Sequence, residues 1–213
     1  MSCKKLCFLG LFVTFLCADG KAQSVLPFYT EEDVVFKSDL VGKWDAGGAT
    51  LEFRDAGNKA YGINIVGDNA TVSHFRAHLI HIGRNYFVDV QVSGIKALDT
   101  GKVNKDAKLQ IGLDGPNESF SLDKTDIILN RHHGLILIEF TKDRDEFRGH
   151  LWEDGWLPKM AKKKQLQCPY LTDEMGRVLL TGSSAQLRKF VEQLPLSAFG
   201  ESARLARIKG EKK

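Results

Sequence analysis

The residues best suited to chemistry in this chain are histidines and carboxylates: His74, His78 and His81 in one segment, His132 and His133 in another, with Asp89, Glu139, Glu146, Glu153 and Asp154 as the acidic candidates. Spacings of four and three would gather the first three histidines on one helical face, where neutral imidazoles can hold a zinc ion. Read as a strand, the same stretch separates His74 from His78 by roughly 13 Å and turns His81 to the opposite face. Residues 72–82 alternate apolar with polar, so the strand reading is preferred and no metal is assigned.

Pairing that alternation with residues 86–93 sets His78 opposite Asp89, with Arg76 two residues away. A histidine oriented by a carboxylate is half of a general-base arrangement, and the missing half is a nucleophile within hydrogen-bond reach. Ser93 lies too far along the strand to supply one. Arg76, His78 and Asp89 are therefore read as a polar face open to a ligand, or more plainly as a cross-strand ion pair. His132 and His133 are adjacent and point apart in a strand. A glycosidase needs two carboxyl groups facing each other at about 5–10 Å, and no spacing here selects such a pair. Trp152 and Trp156 suit ring stacking, but tryptophans between a strand and a helix more often pack the core or its rim. The chain lacks a phosphate-cradling glycine loop, a Gly-x-Ser-x-Gly elbow, paired Cys-x-x-Cys motifs and a calcium loop. No catalytic residue and no cofactor is assigned.

The elements that position these groups follow an export signal. Lys4 and Lys5 precede an apolar run from Leu6 to Cys17, and Gly20 and Ala22 flank Lys21 as a cleavage site, which puts the mature start at Gln23. The apolar run falls short of the roughly 20 residues a spanning helix needs, and no later stretch approaches that length. The expected location is periplasmic or secreted; lipid anchoring through Cys17 is the alternative, with bulky Phe15 and Leu16 against it. Cys3, Cys7 and Cys17 leave with the signal, so Cys168 has no partner for an intrachain disulfide and burial alone must hold the domain. Cleavage removes three of the 30 basic residues and one of the 27 acidic ones, so the net charge of +3 drops to +1. The basic clusters at 159–164 and 204–213 lack interleaved aromatics, and nucleic acid is not an expected partner.

Three hairpins are legible. In the first, Ala56-Gly57-Asn58 turns the chain so that Leu51 faces Ile63 and Phe53 faces Tyr61. In the second, Gly83-Arg84 sets Leu79 opposite Val88, Ala77 opposite Val90 and Phe75 opposite Val92. The third joins 135–141 to 146–152, with Phe140 against Phe147, Ile138 against Gly149, Ile136 against Leu151 and Glu139 against Arg148. Residues 94–117 are weakly periodic, and 120–129 return as a possible strand. Helical spacing comes late: Ser183 and Gln186 form a capping box ahead of Leu187, Phe190, Val191 and Leu194, and Trp156, Leu157, Met160 and Ala161 mark a shorter helix. Residues 178–181 read as a buried strand. The expectation is one domain over 23–200 and a frayed basic tail over 201–213.

Gly42-Lys43-Trp44, near the mature start and ahead of successive hairpins, resembles the Gly-x-Trp signature of calycin and lipocalin-like β-barrels. The resemblance implies that these residues open the first strand and that the tryptophan closes one end of the barrel. It departs from lipocalins in carrying more than one late helix, and no basic residue can be matched to the one that usually covers the tryptophan. Phe75-Arg76-Ala77-His78-Leu79, Asp154-Gly155-Trp156-Leu157 and Leu179-Leu180-Thr181-Gly182-Ser183-Ser184 are similar to exported bacterial proteins whose activity is not established.

The expected fold is mainly β with C-terminal helices, an antiparallel barrel-like sheet; the alternative is an open antiparallel sheet with helices on one face. The expected function is noncatalytic binding of a small apolar or amphipathic ligand, with Tyr61, Leu79 and Val88 lining the interior. A structural or protein-interaction module of the cell envelope is the alternative, and a hydrolase the weaker one.

Overall fold

The structure, a computed structural model, describes residues 23–47, 49–67, 71–97, 132–141, 145–174 and 176–209. Twelve strands are described: β1 (Gln23–Ser24), β2 (Val34–Val35), β3 (Gly42–Asp45), β4 (Ala49–Asp55), β5 (Ala60–Gly67), β6 (Thr71–Ile82), β7 (Asn85–Ala97), β8 (His133–Phe140), β9 (Glu146–Trp152), β10 (Tyr170–Thr172), β11 (Val178–Leu180) and β12 (Phe199–Arg207). Two helices join them, α1 (Trp156–Lys162) and α2 (Ser184–Glu192). Strands β3 to β8 pair in sequence, β12 lies between β3 and β9, and β8 pairs with β9, which closes an eight-stranded antiparallel barrel.

Alternation builds the barrel. On β4 the buried residues are Ala49, Leu51 and Phe53, with Thr50, Glu52 and Arg54 between them facing out. A barrel in lipid turns its apolar band outward; this one turns it inward. No helix among the described residues is long and apolar enough to cross a membrane.

Registers across the second and third hairpins match the alternation: Leu79 pairs with Val88, Ala77 with Val90, Phe75 with Val92, Phe140 with Phe147 and Glu139 with Arg148. Two others differ. Leu51 pairs with Ile65 and Phe53 with Ile63, a slip of two residues from the expected register. Gly57, Asn58 and Lys59 all take positive φ, and the Asp55 carboxylate accepts from the Gly57 N–H, so the turn is wider than three residues. A slip of two keeps every side chain on its face, which is why the core residues are unaffected. The expected Ile136–Leu151 pair does not form, because the β8–β9 ladder ends at Leu137 and β1 takes the β8 edge at His133 and Gly134.

That change of partner opens the barrel wall to an outer layer. β1 pairs with β11 and β11 with β10, while β2 pairs with the end of β6 where β5 has stopped. On β6 to β8 both faces are consequently buried: Leu79 and Val88 face in, while Ile80, Phe87, Leu135 and Leu137 face out and are 3% exposed or less. The N-terminal segment and α2 pack on this side, and α1 lies against β11. Trp152, also outward, stacks on Phe190 of α2 and lies against Phe199.

Both helices form as their spacing predicts. Pro158 sits in the first turn of α1, where no intrahelical N–H is lost. Ser183 caps α2 by accepting from the Gln186 N–H, and Leu187, Phe190 and Val191 are buried. Residues 201–207, read from the sequence as a frayed tail, are part of β12, a barrel strand paired with β3 and β9; apolar Ala203 and Leu205 carry the inward face between the basic residues. The possible strand over 120–129 and Cys17 lie outside the described residues.

Candidate functional site

Two places in the molecule gather polar groups against aromatic ones. The first is the outer face of β6 to β8. The long β6–β7 ladder sets His78 opposite Asp89, as the alternation predicts, and β8 adds His133 on the same face. Asp89 is 1% exposed. Its Oδ1 accepts from His133 Nδ1 at 2.7 Å and its Oδ2 accepts from the Phe28 backbone N–H at 3.2 Å. Tyr29, from the segment crossing this face, hydrogen-bonds His78 Nδ1 through its hydroxyl at 2.8 Å, with the two rings 5.3 Å apart.

Burial pushes the His78 imidazole below its ordinary value, and the Asp89 charge opposes that shift. Burial, then the Asp89 carboxylate, push the Tyr29 phenol up to about 12, so it remains neutral. Arg76 stays exposed. The charge pair expected between His78 and Asp89 is therefore replaced by three separate bonds: Asp89 holds His133 and the Phe28 amide, and His78 holds Tyr29. Tyr29, and the pairing of candidate His133 with Asp89, were missed because neither residue lies on the β6–β7 hairpin. The signal that finds His133 is the parity it shares with Leu135, which the β7–β8 register brings beside Asp89. Chemically the cluster orients imidazoles, but the Nδ1 of each histidine is engaged with a partner that fastens the N-terminal segment.

The remaining histidines disperse. His74 bonds Asn64 and His81 stacks on Tyr86 at 4.5 Å, while His132 reaches Gln23. Among the described residues, no three His, Cys, Asp or Glu side chains are placed to hold a metal ion. Cys168 is buried, and that burial raises its thiol above the ordinary value, away from nucleophilic chemistry.

The second place is the barrel end closed by residues 37–40. Trp44 is 1% exposed, packs edge-on against Phe147 at 4.7 Å and donates its indole N–H to the Leu40 carbonyl. Arg207, from the end of β12, lies over the Trp44 ring at 4.3 Å and donates to the Val41 and Asp39 carbonyls. It is the basic residue that covers the tryptophan, and the sequence hid it inside what read as a frayed tail. A Cβ on Gly42 would meet the Arg207 guanidinium at 2.7 Å, and Gly42 has φ +138°, so glycine is required there twice over.

Tyr61 is fully buried near this end. Its hydroxyl accepts from the Lys37 N–H at 2.7 Å and donates to the Lys37 carbonyl at 3.1 Å, which fastens the closing segment to the barrel. Leu79 is 0% exposed and is packed too. Of the three expected interior ligand contacts, only Val88 borders the interior void, with Phe53, Ile136, Phe147 and others, and that void is about 20 Å³, room for about one water. Around this void side chains fill the barrel.

The larger space is a half-open slot of about 170 Å³ beside the closing segment, lined by Lys37, Asp39, Leu40, Trp44, Tyr86, Phe140 and Thr141. The Lys37 ammonium stands 4.8 Å from the Tyr86 ring and 5.3 Å from the Phe140 ring. No protein-family model, no curated protein and no solved structure matches this chain.

Proposed function

We propose that this is an exported, lipocalin-like binding protein without catalytic activity, and that its ligand is a small amphipathic molecule taken at the closed end of the barrel. The observation that carries the reading is the contrast in free space: about 20 Å³ in the interior against about 170 Å³ in the slot between Lys37 and the aromatic rim. An apolar cavity of about 150 Å³ is enough for a molecule the size of benzene. Tyr86 and Phe140 offer apolar faces, and the Lys37 ammonium a polar contact at the edge. The Arg207 cover on Trp44 supports the barrel resemblance, since a basic residue in that place belongs to the pattern.

Titration with short-chain and aromatic amphipaths, followed by tryptophan fluorescence and by melting temperature, tests this reading. Binding that is lost in Phe140→Ala and weakened in Lys37→Met is the expected result. Absence of any ligand-induced shift across the series sinks it.

A second reading is favoured by a different observation: among the described residues no strand pairs with the outer edge of β10, which ends the three-strand extension, and Leu171 on it is 63% exposed. That edge suits a protein partner of the cell envelope adding a strand. Cross-linking through a cysteine placed at Thr172 tests it.

A further inference from the structure

Gln23 is the residue that cleavage after Ala22 would leave first, and it is not a loose end. It opens β1, pairing with Gly134 of β8 on one side and Leu179 of β11 on the other. Its side-chain amide reaches the residue just before β8, with Oε1 3.1 Å from His132 Nδ1. An amide oxygen only accepts, so His132 Nδ1 carries the proton in this contact.

We propose that Gln23, once released as the first residue, closes on its own α-nitrogen to become pyroglutamate, with the lactam carbonyl seated on His132. The unprotonated α-nitrogen attacks Cδ. The N–Cδ bond forms, the Cδ–Nε2 bond breaks, and Nε2 leaves as ammonia with the proton that the α-nitrogen gives up; nothing is oxidised or reduced.

Two features of the fold favour this closure. As the α-nitrogen attacks, charge develops on Oε1, and an N–H already aimed at that atom is the donor the tetrahedral intermediate needs. His132 thus acts as a positioning residue for the reaction of its neighbour. The second feature is the terminus itself. An α-amino group with an ordinary pKa of about 7.7–8.0 is largely cationic at neutral pH. Here that cation would lie between two strands, next to His132 and His133. The lactam is neutral, keeps one N–H donor for the sheet, and keeps the carbonyl that His132 holds. The proposal rests on cleavage after Ala22 and is independent of the slot at the barrel end.

The intact mass of the protein recovered after export tests it. The expected mass lies about 17 Da, one ammonia, below that of a chain with free Gln23 at its start, and the chain resists aminopeptidase. A chain that begins at free, uncyclised Gln23, or at another residue, overturns the proposal. The part assigned to His132 is tested with protein released in vitro with free Gln23, by following ammonia and mass with time. Closure is expected to run several-fold faster in the folded protein than in urea, and His132→Ala is expected to reduce the folded rate to the urea rate. Equal rates in the two conditions overturn the assistance by His132. If His132→Ala does not fold, His132→Asn, whose amide keeps one donor, replaces it and is expected to fall between the two rates.

Discussion

The inside of the barrel and the layer outside β6 to β8 are both buried, yet they are built on different principles. Inside, alternate residues of every strand meet as aliphatic and aromatic side chains, and stability comes from packing alone. Outside, aliphatic residues such as Ile80, Leu135 and Leu137 share the space with Asp89, His78, His133 and Tyr29. A filled apolar interior is insensitive to pH and sensitive to volume. A layer fastened by imidazoles and one carboxylate is sensitive to both, and it holds the N-terminal segment rather than the barrel.

The largest effect is expected inside. Phe147 touches Trp44, Phe53 and Phe140 and borders the small interior void. With so little free volume, the surroundings cannot collapse into the space that Phe147→Ala leaves, and the cost is about 3–5 kcal/mol. Urea unfolding measures it. A loss below about 1 kcal/mol would mean that the interior is loosely filled, and the contrast with the outer layer would fail.

Next comes the outer layer. Asp89→Asn keeps the shape of the side chain but replaces a carboxylate oxygen by an amide that must donate, leaving either His133 or the Phe28 N–H without its acceptor. The expected cost is about 1–3 kcal/mol. It is expected to loosen residues 23–36 while β3 to β5 keep their hydrogen-exchange protection, and uniform loss of protection would refute the division into two regions.

The same layer carries the pH dependence. His78 and His132 both have their imidazoles held below the ordinary value by burial, with the adjacent His133 adding to the shift on His132. Each therefore binds its proton less readily folded than unfolded, so the unfolded state takes up more protons as pH falls. Their contribution is fully present above the ordinary histidine pKa of about 6.5 and is lost as pH drops through the lower folded values. Stability is expected to fall with acidification below about pH 6.5. His78→Phe is expected to flatten that dependence. An unchanged slope in this variant would show that the acid response lies elsewhere.

The barrel end gives a smaller effect. Arg207→Met removes the cation over Trp44 and two donors to carbonyls of the closing segment, while keeping much of the apolar stem. A cation over an aromatic ring contributes about 0.5–2 kcal/mol, and the loss is expected in that range, with a shift in Trp44 fluorescence. Arg207→Lys is expected to recover only part of it, because one ammonium cannot reach both carbonyls and cover the ring as the planar guanidinium does.

These contrasts also explain what was legible in the sequence. The interior could be read because period-2 alternation reports which side of a strand is buried, and a register slip of two in the β4–β5 hairpin does not alter the answer. The outer layer could not, because its partners are distant in sequence: Tyr29 meets His78 across 49 residues and His133 meets Asp89 across 44. Their contacts depend on β8 and the N-terminal segment docking onto a hairpin formed elsewhere. Arg207 was hidden for a third reason. Alternating basic residues at the end of a chain look like a solvated tail until the apolar residues between them, Ala203 and Leu205, are seen to fill the barrel seam.

The smallest effect sharpens the comparison most, because it concerns a polar atom that the outer layer leaves without a partner. The Trp152 indole nitrogen is buried with no hydrogen-bond partner among the described residues, while its ring lies between Phe190, Phe199 and Trp156. An unsatisfied buried donor costs roughly 1–3 kcal/mol, which offsets much of what the larger ring gains over phenylalanine. Trp152→Phe is therefore expected to change the unfolding free energy by less than about 1 kcal/mol in either direction, against the several kcal/mol usual for loss of a packed aromatic. Trp152→Ala, which empties the space between the same rings, is expected to cost the full amount. If Trp152→Phe is instead as damaging as Trp152→Ala, the nitrogen has a partner, such as an ordered water, and the outer layer is more fully satisfied in its polar groups than its contacts indicate.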